Sequence, residues 1–451
     1  MIDRRDPATG LGYYVGFDGN AVVIVLNPEH VDAVLESTVV HMLHGLRPAS
    51  VAFFGQKVLF VLEGGEWQEL RQLMRPAFTR DMIPGMVGDT AAKAGVWADV
   101  LAPYADSGTP IDMVLAASMY HLSSVSLASF HHDLGCIERF EDGPNAINRA
   151  FEFMLTELPR RAFAGEGTPL QCDFESENED NRRWREAAST VRDEISAIVA
   201  ARHAAVAHGD SVPPDIMGAM LGSYADARKQ QGLAPPSVEE LVADVGDNLV
   251  EMLFAGYNTV VNVIANGLFF LAREPKWFKP LQEEIDAVCG GRVPTAADVP
   301  KLDLCRSLFM ESLRLAPPAA VLGRQLSEDL QLGGVTLPKG TEICLPAFAA
   351  HLNEAAWGLS APAFDLRRFA KGAPQPPAGA FIPFSGGRRA CMGQHFAELE
   401  AVCAFAVLLQ QYTFKVPDDY NWSLIFTGFG YRPLDPANAC VGLRLIPVGR
   451  A

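Results

Sequence analysis

The sequence predicts a mainly α-helical fold with a small β portion, and three observations predict it. Between residues 66 and 318 apolar residues recur at helical spacing, interrupted by loops near 103–110, 137–145, 164–182 and 208–214. A further helical stretch, 394–411, sets Phe396, Leu399, Val402, Ala406 and Leu409 on one face. β-Branched, turn-punctuated segments are confined to residues 10–35, 320–350 and 412–448.

The elements follow in order. "GYYVGFDGNAVVIVL" (12–26) reads as a strand pair with its turn at Asp18–Gly19–Asn20. In "NPEHVDAVLES" Asn27 caps a short helix that has Pro28 in its first turn. The acidic "DFESENEDN" reads as a solvated loop. Residues 236–272 form one long helical pattern, and another runs over 300–315 and stops at Pro317–Pro318. "DLQLGGVTLPKGTEICLPAFAAH" then gives short strands with turns at Gly333–Gly334 and Lys339–Gly340. With no internal repeat and no linker, residues 1–451 read as one domain.

Composition narrows the function. The 37 basic and 54 acidic residues leave a net charge of −17, which argues against nucleic acid or an anionic membrane as the main partner. Eight cysteines without a C-x-x-C pair argue against a disulfide framework or a zinc ribbon, and fit a reduced compartment. The start of the chain has no apolar run of signal or anchor length, and "VVNVIANGLFFLA", with its two asparagines, reads as a core helix. The chain as it stands is therefore expected to be cytoplasmic and monomeric.

One thiol stands out in "FIPFSGGRRACMGQHFAELEA" (381–401). Cys391 lies just before a helix, beside Arg388 and Arg389, and positive charge and helix-end N–H groups both favour the thiolate. Gly386, Gly387 and Gly393 would let the backbone turn tightly and approach a flat ligand. A buried, inert cysteine is the alternative, but it explains neither the glycines nor the arginines.

"FSGGRRACMG" carries Phe384, Gly387, Arg389, Cys391 and Gly393 at every fixed position of F-x-x-G-x-R-x-C-x-G. It resembles the haem-binding signature of the cytochrome P-450 family, whose thiolate-ligated haem is well known. The resemblance extends over nearly the whole chain and favours the eukaryotic-type branch in segments such as "LAREPKWFKPLQEEIDAV". It implies the P-450 fold, haem b with Cys391 as the iron ligand, and NAD(P)H used indirectly through a ferredoxin or reductase. The first strand starts closer to the beginning than is usual in the family, so a membrane-associated longer form stays open.

Four further motifs are read against it. "ESLR" puts Glu311 and Arg314 on one helix face, where alone they would be a weak surface pair. They resemble the family's E-x-x-R motif, with Arg368 of "FDLRRF" as third partner, although Leu366 and Arg367 replace its usual proline and glutamate. "AGYNT" sets a glycine inside a helix, for packing or for a flat neighbour. It resembles A-G-x-D/E-T, which gives Ala255, Gly256 and Thr259 a place beside dioxygen and Asn258 the place of an acid. An amide cannot act as general acid or base, so proton delivery passes by ordered water or by another acid such as Glu251 or Asp247. "GGEWQELRQLMRPAF" resembles the W-x-x-x-R helix, which gives Trp67 and Arg71. With Arg324 and Arg389 these are candidate partners for haem carboxylates, though each arginine alone reads as a surface residue.

Phe53, Phe54, Phe254, Val321, Leu322, Phe426 and Phe429 fall where the resemblance implies a pocket wall, with core packing an equal reading. They would suit a lipophilic substrate such as a sterol, fatty acid, terpenoid or xenobiotic. Arg75, Arg80 and Arg388 are a candidate docking patch for an acidic redox partner. The expected reaction is dioxygen-dependent hydroxylation or epoxidation. A peroxide-using peroxygenase, a hydroperoxide isomerase and a haem sensor without turnover are the alternatives.

Overall fold

A computed structural model describes residues 11–15, 21–37, 47–162, 164, 168, 170, 173–211, 213–418, 420, 423–426, 430–435 and 440–450. Strands β1 (Leu11–Val15) and β2 (Ala21–Val25) pair antiparallel, with Tyr13 opposite Val23. The turn expected between them lies outside the described residues. Helix α1 (Pro28–Glu36) begins as its sequence demands: Asn27 accepts from the Glu29 N–H at 2.9 Å and Pro28 fills a position that needs no amide hydrogen.

The helical part follows as α2 (Arg47–Phe54), α3 (Gly64–Met74), α4 (Ile83–Ser107), α5 (Met113–Phe130), α6 (Ala146–Ala162), α7 (Glu179–Ala207) and α8 (Ile216–Gln230). Then come α9 (Asp247–Arg273), α10 (Phe278–Cys289), α11 (Asp303–Leu315) and α12 (Gln394–Gln411). Helix α4 runs past Pro103 and ends at Gly108, whose positive φ of 67° suits a helix cap, so the expected loop begins later than its proline suggests.

The continuous helix expected over 236–272 contains one π turn, Val242–Gly246, between a capped start at Val238–Leu241 and α9. Helix α12 has the expected bounds but not the expected single apolar face, because every residue from Leu399 to Leu409 is buried. It is enclosed by α4, α9, α10 and α11. Helix α9 packs in turn on α5.

Strands β3 (Leu322–Gln325), β4 (Leu330–Leu332), β5 (Val335–Leu337) and β6 (Glu342–Leu345) make up the β part between α11 and α12. One sheet has the order β1-β2-β6-β3, with β2 and β6 parallel and Arg324 opposite Ile343 across β3 and β6. The apolar interior forms one large cluster among the helices and a smaller one between this sheet and α1. Two helical runs are long and apolar enough to cross a bilayer, Met113–Phe130 and Val238–Arg273. Their apolar windows are 89% and 78% buried within the protein, as core helices are.

Candidate active site

The loop before α12 is closed by the Cys391 N–H, which donates to the Phe384 carbonyl at 2.9 Å. Ser385 and Gly387 take positive φ values of 61° and 59° to make the turn. A Cβ at Gly387 would stand 2.0 Å from the Leu35 carbonyl oxygen, and one at Gly386 would stand 3.1 Å from the Leu35 side chain. These two glycines therefore admit α1, not the flat ligand expected from the sequence. Gly393 does face the thiol: a Cβ there would lie 4.0 Å from the Cys391 sulfur.

Among the described cysteines only Cys391 is classed as exposed. Burial pushes its thiol above the ordinary value, and the Gly393 N–H, the Arg71 guanidinium and the Gln394 N–H pull it back. These groups favour the thiolate without overcoming the effect of burial.

Three guanidinium groups gather near this loop. Arg71, on α3, donates to the Ala390 carbonyl at 2.8 Å and lies 5.3 Å from the centre of the Trp67 ring. Arg389 stacks closer on the same indole, at 3.9 Å, and donates to the carbonyls of Leu59 (3.5 Å) and Leu62 (3.2 Å). Arg324 donates to the Gly323 carbonyl at 2.8 Å and to Ser385 Oγ at 2.5 Å.

Burial lowers Arg389 to about 10, opposed by Glu63 and reinforced by the positive charges of Arg324, Arg71 and Arg388. Burial alone lowers Arg324 to about 10. Mutually repelling, partly desolvated cations of this kind are relieved by a bound dianion. A thiol on a helix N-terminus, flanked by these guanidinium groups, fits a haem with its two carboxylates.

Helix α9 supplies a second wall. It is buried along most of its length but exposed at Ala255 and partly open at Gly256 and Thr259. Thr259 Oγ1 donates to the Ala255 carbonyl at 2.9 Å and approaches the Gly256 carbonyl at 3.4 Å, a back-bond that bends helices. Gly256 also has a packing reason, since a Cβ there would lie 2.8 Å from His121 Cε1. His121 is itself held by the buried Glu400 carboxylate at 3.0 and 3.1 Å.

Asn258 is 6% exposed, and its Oδ1 accepts from Asn262 Nδ2 at 2.8 Å. The Asn262 amide is oriented by a second donation, 2.5 Å to the Asn258 backbone carbonyl. Asn258 keeps its N–H pair and a second lone pair on Oδ1 to offer. The two alternative acids are both engaged. The Glu251 carboxylate accepts from the Leu59 and Phe60 N–H groups at 3.1 and 2.5 Å, and burial pushes it up to about 8 against their pull. Asp247 lies 3.4 Å from Arg192.

Glu311 and Arg314 are fully buried and bidentate, at 2.7 Å for each contact. Arg314 also donates to the carbonyls of His351, Ala361 and Ala363. Arg368 approaches Glu311 at 3.6 Å and directs its hydrogen bonds to Trp357 and Ser360 instead.

His351, which pattern reasoning missed, joins this cluster to the ligand loop. Its Nε2 accepts from the Ile382 N–H at 3.0 Å, so its Nδ1 carries the proton shared with the Leu313 carbonyl at 3.2 Å. Burial lowers it from 6.5 to about 3. Protonation would set N–H against N–H, so the stability this neutral ring contributes is complete above pH 6.5 and lost as pH falls toward about 3. Unfolding in urea between pH 7 and 4 is expected to show this slope, and His351→Gln to flatten it.

Of the two readings of the expected pocket wall, core packing describes Phe53 and Phe54. Phe53 and Phe54 are 0% and 1% exposed and pack on Phe254 at ring separations of 6.0 and 5.1 Å. They form a layer packed on Phe254. Phe254, Val321 and Leu322 are half-buried. Phe429 and the Phe426 side chain lie outside the described residues. Arg75, Arg80 and Arg388 are exposed, with Arg80 Nε 3.2 Å from His395 Nε2.

Comparison with known proteins agrees with this geometry. The family model for cytochrome P450 matches residues 9–434. An 11-oxo-beta-amyrin 30-oxidase of Medicago truncatula is 28% identical over 79% of this chain and 67% of its own length. The protein of the same name from Glycyrrhiza uralensis is 27% identical over 88% and 74%. A cytokinin hydroxylase of Arabidopsis thaliana is 28% identical over 82% and 69%. With a match across nearly all of its length and a thiol-and-arginine site to suit, the chain belongs to the cytochrome P450 family, as a haem b oxidoreductase of the monooxygenase type served with NAD(P)H electrons through a redox partner.

Proposed function

We propose that the protein hydroxylates or epoxidises a lipophilic small molecule, acts as a monomer, and takes its electrons from a ferredoxin or reductase docked near Arg75, Arg80 and Arg388. The observation that carries the reading is the gathering of Arg71, Arg324 and Arg389 near Cys391. Cys391 would hold the iron, and Trp67 with the three arginines would hold the carboxylates. Bound haem supplies activation of dioxygen. On the protein's side, the Thr259 hydroxyl donates to the Ala255 carbonyl and keeps its lone pairs for a water, while the Asn258 N–H pair donates to water and cannot give up a proton. Half-buried Phe254, Val321 and Leu322 support an apolar substrate. Three relatives are named for oxidation of small molecules, two for 11-oxo-beta-amyrin and one for a cytokinin, which supports the reaction class.

Asn258 favours a second reading, a peroxygenase on the same fold, because peroxide brings its own protons. The two are separated by product formation from a lipophilic panel. The monooxygenase reading expects turnover with NAD(P)H and a redox partner, and product formed with peroxide but not with NAD(P)H and a redox partner would sink it.

A further inference from the structure

Residues 55–62 join α2 to α3, and the start of α9 with its preceding π turn grips this connection at several points. Lys57 pairs with Asp244 at 2.5 Å, and its carbonyl accepts from Asn248 Nδ2 at 2.8 Å. Gly55 lies so close to Asp247 that a Cβ on it would stand 1.9 Å from Asp247 Oδ2. Glu251 takes the N–H groups of Leu59 and Phe60. Positions 244, 247, 248 and 251 follow helical spacing, so one face does the gripping. The other side of the same turn meets Arg389, which donates to the carbonyls of Leu59 and Leu62. The N–H groups of the turn thus rest on α9 and its carbonyls on the arginine beside Cys391.

We propose that Glu251 is a positioning residue for Arg389: by fixing the 59–62 turn it sets the guanidinium against the haem carboxylate. The proposal rests on the reading that Arg389 holds that carboxylate. A group with two acceptor oxygens is what this place requires. Two N–H donors converge on it, one at each oxygen, and a glutamine would turn a donor toward one of them. Glu251 is 7% exposed, and among the described residues no cation pairs with it. Both of its oxygens are engaged by the turn, which suits a holding role better than proton supply.

The test uses the full chain. Hydrogen exchange of the 55–62 segment is followed by mass spectrometry, and haem release by transfer to apomyoglobin. Glu251→Gln is expected to speed exchange at Leu59 and Phe60 by roughly tenfold, as leaving a buried N–H without its acceptor would. Haem release is expected to quicken roughly threefold to tenfold, with little added by combining it with Arg389→Ala, because the two act in series. Unchanged exchange overturns the proposal. So does faster exchange with unchanged haem release, or full additivity with Arg389→Ala, the mark of two independent roles. If Arg389→Ala alone leaves haem release unaltered, the reading of Arg389 fails, while the exchange measurement still judges the grip. Glu251→Asp keeps both oxygens but draws them back, and is read in the same way should the glutamine variant not fold.

Discussion

Arg314→Ala is expected to cost about 3–5 kcal/mol of stability and to leave a protein that takes up little haem. The guanidinium is completely buried against an equally buried Glu311, so its removal strands a carboxylate in the interior. It also orphans the carbonyls of His351, Ala361 and Ala363, which have Arg314 as partner. Two of these carbonyls belong to the 358–365 segment, and a third belongs to the residue that holds Ile382 at the start of the ligand loop. The damage should therefore reach Cys391. Replacing a buried ion pair by apolar residues is often neutral. Here the double variant Glu311→Leu with Arg314→Leu should stay destabilised, because the three carbonyls remain unmet. Urea unfolding with haem titration measures both variants, and a double variant as stable as the wild type would show that the pair matters only as a pair.

Legibility in the sequence divides along a physical line. Whatever depends on neighbours in the chain was readable: the Asn27 cap, the bounds of α12, and the Glu311–Arg314 pairing at i, i+3. Whatever depends on a partner brought in by the fold was not. Gly387 looks like room for a ligand, but the group pressed against it is the Leu35 carbonyl of α1, 352 positions earlier in the chain. Phe53 and Phe54 look like a pocket wall, but burial depends on α6, α7 and α9 closing over them. The apolar positions of α12 suggested one buried face because periodicity registers contrast, and a helix enclosed on all sides retains little. The π turn before α9 adds no residue type of its own and leaves no compositional mark. Asn258 was legible as a departure from an acid. Its partner Asn262 was present at i+4, and could have been found by asking which neighbour on the helix satisfies a buried amide.

Cys391→Ala is expected to abolish the red-shifted band of the reduced, CO-bound protein while changing stability by less than about 1 kcal/mol. The two halves of this expectation come from different atoms. The loop is closed by the backbone N–H of residue 391 on the Phe384 carbonyl, a bond that alanine retains. The side chain is the most exposed of the described cysteines, so its loss opens no core cavity. The sulfur is the part with electronic work to do. Burial resists its ionisation, whereas the Gly393 and Gln394 N–H groups and Arg71 favour it, and a bound cation would complete the balance toward thiolate. Cys391→Ser keeps the shape and the N–H partners but offers an oxygen that ionises far less readily, and should bind haem without the thiolate band. Comparing reduced CO spectra and urea midpoints for the three proteins separates ligand from scaffold. A thiolate band surviving in the alanine variant would mean that another cysteine holds the iron. The described alternatives, Cys136, Cys289, Cys305, Cys344 and Cys403, are all buried or half-buried, and burial pushes each of their thiols up.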